Sequence, residues 1–527
     1  MVVEDGPGPP LTTGARAETA VADRGADLEA AGAARGTALN IAGSAVGAVV
    51  GFVTVGLITN VWGQAGAGLF FAATALFTLA ANGARLGAES GLTYFVARFR
   101  ADGEHRAVPT VIRLALLATG SAAAGLAIAG VVAAPALGRL LTSDTAAQPD
   151  AEAMIRILAL AVPAYALAQA MFGASRGFAT MRPSVIVGQV VRPVGRLVIV
   201  LAVMATTDSV VALAVAWAAT SLVTATSIGL WLRRRVARLR ERNGQPAPDH
   251  RFDREYARFA APRAMADLVS AALDRLDVVL VAVLVGEAGA GLYGASGRLI
   301  LAGQLTMVAA AQSMAPVLTA AFSTGRTTEA QRILRTVTAW NITLLWPVFI
   351  CLGFGARTAL SVFGPEFGEA WPLVVVLSVG LLIVIGMGAG DTLLTTTGDT
   401  LASLVNHLVA LAIMVTTAIV LLPAIGIVGA AWAWALSRVA LRSLAGVRAW
   451  RTKGIHGFGP PVPIAGALAL AAYVPAGIVA LAVVGPGWGA VAVNVTVGAA
   501  AHLILLARFR APLDLDGLTA VVFRRAT

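Results

Sequence analysis

Gly63-Gln-Ala-Gly-Ala-Gly-Leu-Phe70 recurs as Gly286-Glu-Ala-Gly-Ala-Gly-Leu-Tyr293, with six identities in eight positions. In a chain holding 56 glycines, eight residues alone are weak support for a duplication. Their surroundings strengthen it. Each copy opens the second apolar run of what reads as a six-span half. At the same offset of 223, Phe99 falls on Phe322; later, at an offset of 217, Ala214-Val-Ala-Trp-Ala218 lines up with Ala431-Trp-Ala-Trp-Ala435. Two halves with an even number of spans insert with the same orientation. They are therefore expected to be related by an axis along the membrane normal, as in transporters that rock two lobes around a central cavity.

Composition supports the membrane setting. The 527 residues are 58% hydrophobic and only 13% charged, with a mean hydropathy of +0.80. Soluble domains run nearer a quarter charged. Fourteen membrane helices of about 20 residues would use about 290 positions, which the apolar content can supply with little left for an extramembrane catalytic domain. The runs are long and continuous, not ten-residue alternations, so helices rather than a barrel are expected.

The sequence predicts an all-α polytopic protein with spans near 37–59, 68–92, 109–134, 153–175, 183–206, 209–232, 260–285, 291–321, 333–353, 371–397, 401–422, 425–447, 463–484 and 487–507. Residues 1–36 read as a disordered cytoplasmic tail, because they lack the basic start and apolar core of a secretory signal. Residues 37–232 form a first lobe, 233–259 a basic cytoplasmic linker and 260–447 a second lobe. A cytoplasmic loop (448–462), two further spans (463–507) and a tail (508–527) follow. With the N-terminus inside, inside segments carry 27 of the 39 Lys+Arg residues and outside loops carry two, Arg139 and Arg357. That asymmetry is a strong positive-inside signal. It also places both termini in the cytoplasm and explains a pI near 11 without nucleic acid. Cys351 stands alone, which excludes a disulfide framework and a thiolate metal site.

Ionisable residues inside the spans are functional candidates, since a charge at mid-bilayer costs about 2.5–3.5 kcal/mol on the mildest scale. On the seventh span, Arg263, Asp267, Asp274 and Asp277 share an arc of about 80° at 100° per residue. That face should line a wet cavity, where Asp267, Asp274 and Asp277 are candidates for coupling to H⁺ or Na⁺. Arg275 falls off the arc. Arg85 and Glu89 are i,i+4 neighbours on the second span and are expected to pair. Arg298, on the eighth, has no acid nearby in sequence, and its guanidinium fork suits a phosphate. Arg298, Arg85 and Glu89 are thus the candidate substrate-binding residues. Gln189, Arg192 and Arg196 lie within about 60° on the fifth span. Arg438 and Arg442 are expected to snorkel to lipid phosphates. Asp391 and His407 read as packing or helix-end groups. There is no Walker-type loop, HExxH or nucleophile elbow, so neither ATP drive nor hydrolase chemistry is expected, and no cofactor.

These residues resemble the polysaccharide (Wzx-like) flippases of the multidrug/oligosaccharidyl-lipid/polysaccharide exporter superfamily, over residues 37–450. The resemblance rests on Gly66–Phe70, Gly91-Leu-Thr-Tyr-Phe-Val-Ala-Arg-Phe-Arg100, Leu273-Asp-Arg-Leu-Asp277 and Gly291-Leu-Tyr-Gly-Ala-Ser296 with Arg298. Phe363-Gly-Pro-Glu-Phe367 and Leu422-Pro-Ala-Ile-Gly-Ile-Val-Gly-Ala-Ala431 complete it. Thr93 departs from the pattern where many relatives are basic, and Ile425 where an aromatic is common. The resemblance implies a V-shaped cavity lined largely by spans 1, 2, 7 and 8, and a substrate in which an oligosaccharide is joined through diphosphate to a polyprenol. The implied setting is a bacterial plasma membrane, with membrane lipids and polysaccharide polymerase or assembly proteins as candidate partners. It leaves a multidrug exporter of the same fold and a lipid II-type flippase as alternatives.

Overall fold

The computed structural model describes residues 13–243, 250–301, 303, 327–388, 400–454 and 457–509. Among them it is all-helical. The first half runs α1 (Thr13–Ala84), α2 (Ala88–Ala101), α3 (Val108–Leu141) and α4 (Gln148–Gly177). A π-helical turn at Ser184–Val191 leads into α5 (Arg192–Thr206) and then α6 (Val211–Asn243). The second half runs α7 (His250–Leu284), α8 (287–301), α9 (Thr327–Phe354), α10 (Trp371–Gly386), α11 (Thr400–Ile425) and α12 (Ile427–Lys453). Last come α13 (Pro461–Val484) and α14 (Trp488–Arg508). Ten segments among the described residues are long and apolar enough to cross a membrane. One of them, Ala42–Ala101, joins two expected spans. α7 and α12 fall outside the ten, and these are the helices that carry many of the intramembrane charges.

Three boundaries differ from the sequence expectation. Residues 13–36 are helical and continuous with the first span, where a disordered tail was expected. Their alanines, glutamates and arginines are strong helix formers. The linker 233–259 is largely helix too, because α6 continues to Asn243 and α7 begins at His250. Arg233-Arg-Arg-Val-Ala-Arg-Leu-Arg-Glu contains no helix breaker, which fits its helical state. The second span is not one rod. α1 bends at Gly63 (φ 62°, ψ −166°), so that Gln64–Ala84 forms its own helix. That helix breaks at Arg85–Gly87, where Leu86 (φ 47°) and Gly87 (φ 71°) are left-handed. Gly87 is required there: a Cβ would lie 2.6 Å from the Ala260 carbonyl oxygen on α7.

α7 packs against α1 and α2, and the halves meet near both ends of this contact. At one end the two repeat copies interlock. A Cβ on Gly68 would sit 1.7 Å from the Glu287 carbonyl oxygen, and one on Gly291 2.1 Å from that of Gln64. Asn60 and Gln64 donate nearby to the carbonyls of Val362 (2.9 Å) and Glu366 (3.1 Å). These acceptors lie in the segment 362–367, whose Phe363 ring packs 5.2 Å from that of Phe52. At the opposite end, toward the linker, Tyr94 stacks on Phe259 at 5.0 Å and Arg98 pairs with Glu255. Tyr256 fills the space beside Gly91, and burial pushes its hydroxyl up to about 12. α13 packs on α9 and α14, which sets the last two helices against the flank of the second half.

Candidate functional site

A cavity of about 360 Å³ lies between α7, α8, α10 and α12, with Phe71 of α1 reaching into it. Its polar wall consists of Asp274, Arg275, Asp277, Tyr293, Arg298 and Trp434. At 1.5 Å per residue, Arg275 and Arg298 lie about 14–17 Å from the repeat-bearing ends of their helices, midway through a 30 Å hydrocarbon layer. The small residues Gly294 and Gly297 on α8 open the space beside Arg298.

Neighbouring groups already satisfy the acids of this wall. Arg438 of α12 pairs with Asp274 at 2.5 Å, donates to the Leu273 carbonyl at 3.2 Å and lies over the Trp434 ring. Asp277 is buried, accepts from the Tyr293 hydroxyl at 2.8 Å and caps the backbone N–H of Val278 at 2.8 Å. Asp267, toward the linker end, faces Arg263 at 3.5 Å. Arg263 also donates to Ser90 on α2 at 3.2 Å.

Two further intramembrane arginines lie on α5, against rings of α4 and α6. Arg192 lies over the Tyr165 ring at 5.5 Å, and Arg196 over the Trp217 ring at 3.9 Å. Trp217 is braced in turn by Phe70 in an edge contact at 5.0 Å. Nε and Nη1 of Arg192 are buried and have no acceptor. Among the described residues, Arg192, Arg196, Arg275 and Arg298 have no carboxylate partner.

Arg85 and Glu89 sit elsewhere. Counted from Gly63, Arg85 is about 33 Å along the second span, which puts it at the linker end of the hydrocarbon layer. Glu89 pairs there with both Arg85 and Arg176, the latter at 2.6 Å. The Arg85 Nε is buried without an acceptor. Gly173 permits this approach of α2 to α4, since a Cβ on it would lie 2.2 Å from the Glu89 carbonyl oxygen. Thr93 donates to the carbonyls of Glu89 and Gly173, at 2.8 and 3.0 Å.

The expected site is thus divided. Arg298 occupies the cavity, whereas Arg85 and Glu89 form a separate cluster at one end. The acidic face of α7 is divided as well: Asp267 lies at the linker end, and Asp274 and Asp277 line the cavity. Arg275, off the arc on a helical wheel, also lines it. Arg438 does not snorkel to lipid, because Asp274 engages it. Gln189 separates from Arg192 and Arg196: it donates to Asn40 at 2.8 Å, because the π turn changes the rotation per residue. His407 bonds the Ser403 carbonyl at 2.7 Å, within its own helix. Asp391 and Phe322 lie outside the described residues. Sequence reasoning missed the partners Tyr293 and Trp434, although the repeated Ala-Trp-Ala pattern had marked Trp217 and Trp434 as a pair.

A second cavity, of about 620 Å³ and almost wholly apolar, opens between α9, α10 and α13 beside Phe354, Trp371 and Val474. It contains none of these charged groups except Arg357 at its rim.

The family described as "Polysaccharide biosynthesis protein" matches residues 33–322. A comparison with curated proteins gave no match. Among solved structures, a lipid II flippase, MurJ, in an inward closed conformation is similar with a TM-score of 0.70 at 12% identity. The similarity covers 89% of this chain and 97% of that one. An inward-facing multidrug resistance MATE family transporter of the MOP superfamily gives 0.64 at 15% identity, over 75% and 93%. A MOP superfamily transporter from Pyrococcus furiosus, described by the reverse polarity of its binding pocket, gives 0.57 at 15%, over 78% and 94%. At these identities the likeness is one of fold.

Proposed function

Because the chain belongs to the polysaccharide biosynthesis protein family, we propose that it is a flippase for an oligosaccharide linked through diphosphate to a polyprenol. It works by alternating access across the plasma membrane of a bacterium, with the repeat-bearing end facing outward. The observation that carries this reading is the cavity between α7, α8, α10 and α12, in which Arg275 and Arg298 lie at mid-membrane depth with no carboxylate in ion-pair contact among the described residues. Such cations are costly in a bilayer, so their presence is accounted for by an anionic ligand. Arg275 and Arg298 share one cavity and bind the diphosphate through charge-assisted, fork-shaped hydrogen bonds. The polyprenol remains in the lipid while the sugars occupy the space between the halves. The Arg85–Glu89–Arg176 cluster lies where a headgroup would first meet the protein from the cytoplasm.

In and beside the cavity the arginines Arg275, Arg298 and Arg438 outnumber the carboxylates Asp274 and Asp277, and Glu89, Asp267 and Asp274 are each paired with arginine. Their pairing favours an anionic cargo. Coupling to a proton gradient is assigned to Asp277, whose partners are a tyrosine hydroxyl and a backbone N–H, so its protonation breaks no ion pair.

The test uses purified protein in liposomes with a labelled polyprenyl-diphosphate oligosaccharide and an external glycosidase. Protein-dependent exposure of the label supports a flippase, and faster exposure under an imposed pH or Na⁺ gradient identifies the ion. Folded protein that moves none of several such lipids overturns the reading.

A further inference from the structure

The apolar cavity between α9, α10 and α13 stands apart from the site of Arg275 and Arg298. On α10, Trp371, Val375, Ser378, Val379 and Leu382 line it and share an arc of about 100° at 100° per residue. Leu377, which lines the arginine cavity, lies about 100° or more from each of them. α10 therefore separates the two spaces. A tail attached to a headgroup at Arg298 would have to round that helix to enter the apolar one.

Its dimensions are those of a lipid chain in one leaflet. The lining runs from Trp371 to Leu382 on α10 and from Leu470 to Leu481 on α13. Each stretch is about 17 Å long, against about 15 Å for half of the hydrocarbon layer. The mouth lies at the repeat-bearing end, where Trp371 and Trp488 are exposed as tryptophans are at a membrane–water interface.

The mouth also has a polar corner. A recess of about 20 Å³, room for one water-sized group, shares Phe354, Arg357, Leu481 and Pro486 with the cavity. Arg357 is exposed on this shared rim and makes no ion pair among the described residues. Asn494 of α14 also lines the recess; it is only 2% exposed, and both its Nδ2 and its Oδ1 lack a partner. A buried amide left unpaired is costly, so Asn494 calls for a group that both gives and accepts a hydrogen bond. A water would serve Asn494 but leaves the free cation and the apolar cavity beside it without an explanation.

We propose that this cavity holds one anionic phospholipid with a hydroxyl-bearing headgroup, drawn from the leaflet at the repeat-bearing end. An acyl chain lies between α10 and α13, the phosphate meets the Arg357 guanidinium, and a headgroup hydroxyl enters the recess to bond Asn494. An ethanolamine headgroup fits less well, because its ammonium can only donate and its charge opposes Arg357. The site is independent of the cargo and holds whichever substrate the arginine cavity carries.

The test adds equimolar phosphatidylglycerol and phosphatidylethanolamine with the same acyl chains to full-length protein in detergent, and counts the retained lipids by native mass spectrometry. The wild-type protein is expected to retain one phosphatidylglycerol in about tenfold preference, the effect of a charge-assisted hydrogen bond. Asn494→Leu should bring that preference close to one, Arg357→Gln should weaken both lipids, and Val474→Trp, which fills the cavity, should abolish retention of either. Wild-type protein that retains neither lipid, or both equally, overturns the proposal. So does Val474→Trp that retains phosphatidylglycerol as before, since the lipid would then sit elsewhere. Displacement of the phospholipid by a polyprenyl-diphosphate glycan, lost in Val474→Trp, would also overturn it by assigning the cavity to the cargo's tail, and would leave the flippase reading standing. If Val474→Trp fails to fold, the wild-type preference and its loss in Asn494→Leu decide the matter.

Discussion

Gly68 and Gly291 occupy equivalent positions of the repeat, and each rests against the backbone of the other's motif. Gly68 abuts the Glu287 carbonyl, and Gly291 that of Gln64, four residues before Gly68. The duplication is thus a contact as well as a pattern, with the two copies closing one end of the interface between the halves.

Gly68→Ala is expected to force that end apart, because no flexible side chain is available to yield. Overpacking of this kind costs about 1–3 kcal/mol. In a Cys351→Ser background, a cysteine at Ser296 should react faster with an impermeant maleimide added outside when Gly68→Ala is present. An unchanged rate would show that this contact does not hold the gate.

Arg298→Gln should weaken binding of a polyprenyl-diphosphate glycan roughly 10–100-fold through loss of charge-assisted hydrogen bonds. Arg275→Gln should act in the same direction, which a helical-wheel reading of α7 would not anticipate. Isothermal titration against the same lipid checks both. Full affinity in Arg275→Gln would remove it from the headgroup site.

Glu89→Ala should lower thermal stability more than Arg176→Ala does, since it strands two guanidinium groups rather than one carboxylate that retains Arg85. The difference is expected to be about 1–3 kcal/mol for this half-buried cluster. Melting curves in detergent would measure it, and equal destabilisation would mean that Arg85 gains little from Glu89.

Asp277→Asn keeps the hydrogen bond from Tyr293 and removes the titrating proton. It should preserve lipid exchange without a gradient and abolish the acceleration by an imposed pH difference. Asp274→Asn should retain that acceleration. If the two variants behaved the other way round, the coupling acid would be Asp274.

Long apolar runs made most helices readable from sequence, and the spacing of Gly63–Phe70 and Gly286–Tyr293 made the duplication readable. Arg85 and Glu89 were recognised as a pair because i,i+4 geometry is local. What was not readable depends on neighbours. A wheel drawn for α7 gives the angle of Arg275 but not which helix stands beside it, and Asp274 meets Arg438 across 164 residues of sequence. The second span breaks at Arg85–Gly87. The break itself follows from the α7 backbone pressing on Gly87, which no single-helix pattern contains. Residues 13–36 and much of 233–259 are helical because charge indicates contact with water and does not exclude helix.

The π turn at Ser184–Val191 has a consequence for how the fifth span could change. A π turn takes up one residue more than an α turn, so the helix after it keeps its phase with the helix before it, while residues inside it turn less per position. Gln189, inside the turn, reaches Asn40, and Arg192 and Arg196, just beyond it, reach the rings of Tyr165 and Trp217. Deleting one residue from the turn would tighten it to α pitch and leave the arginines on their rings. A single-codon deletion there would displace Gln189 and its bond to Asn40, and would spare the cationic side chains that follow.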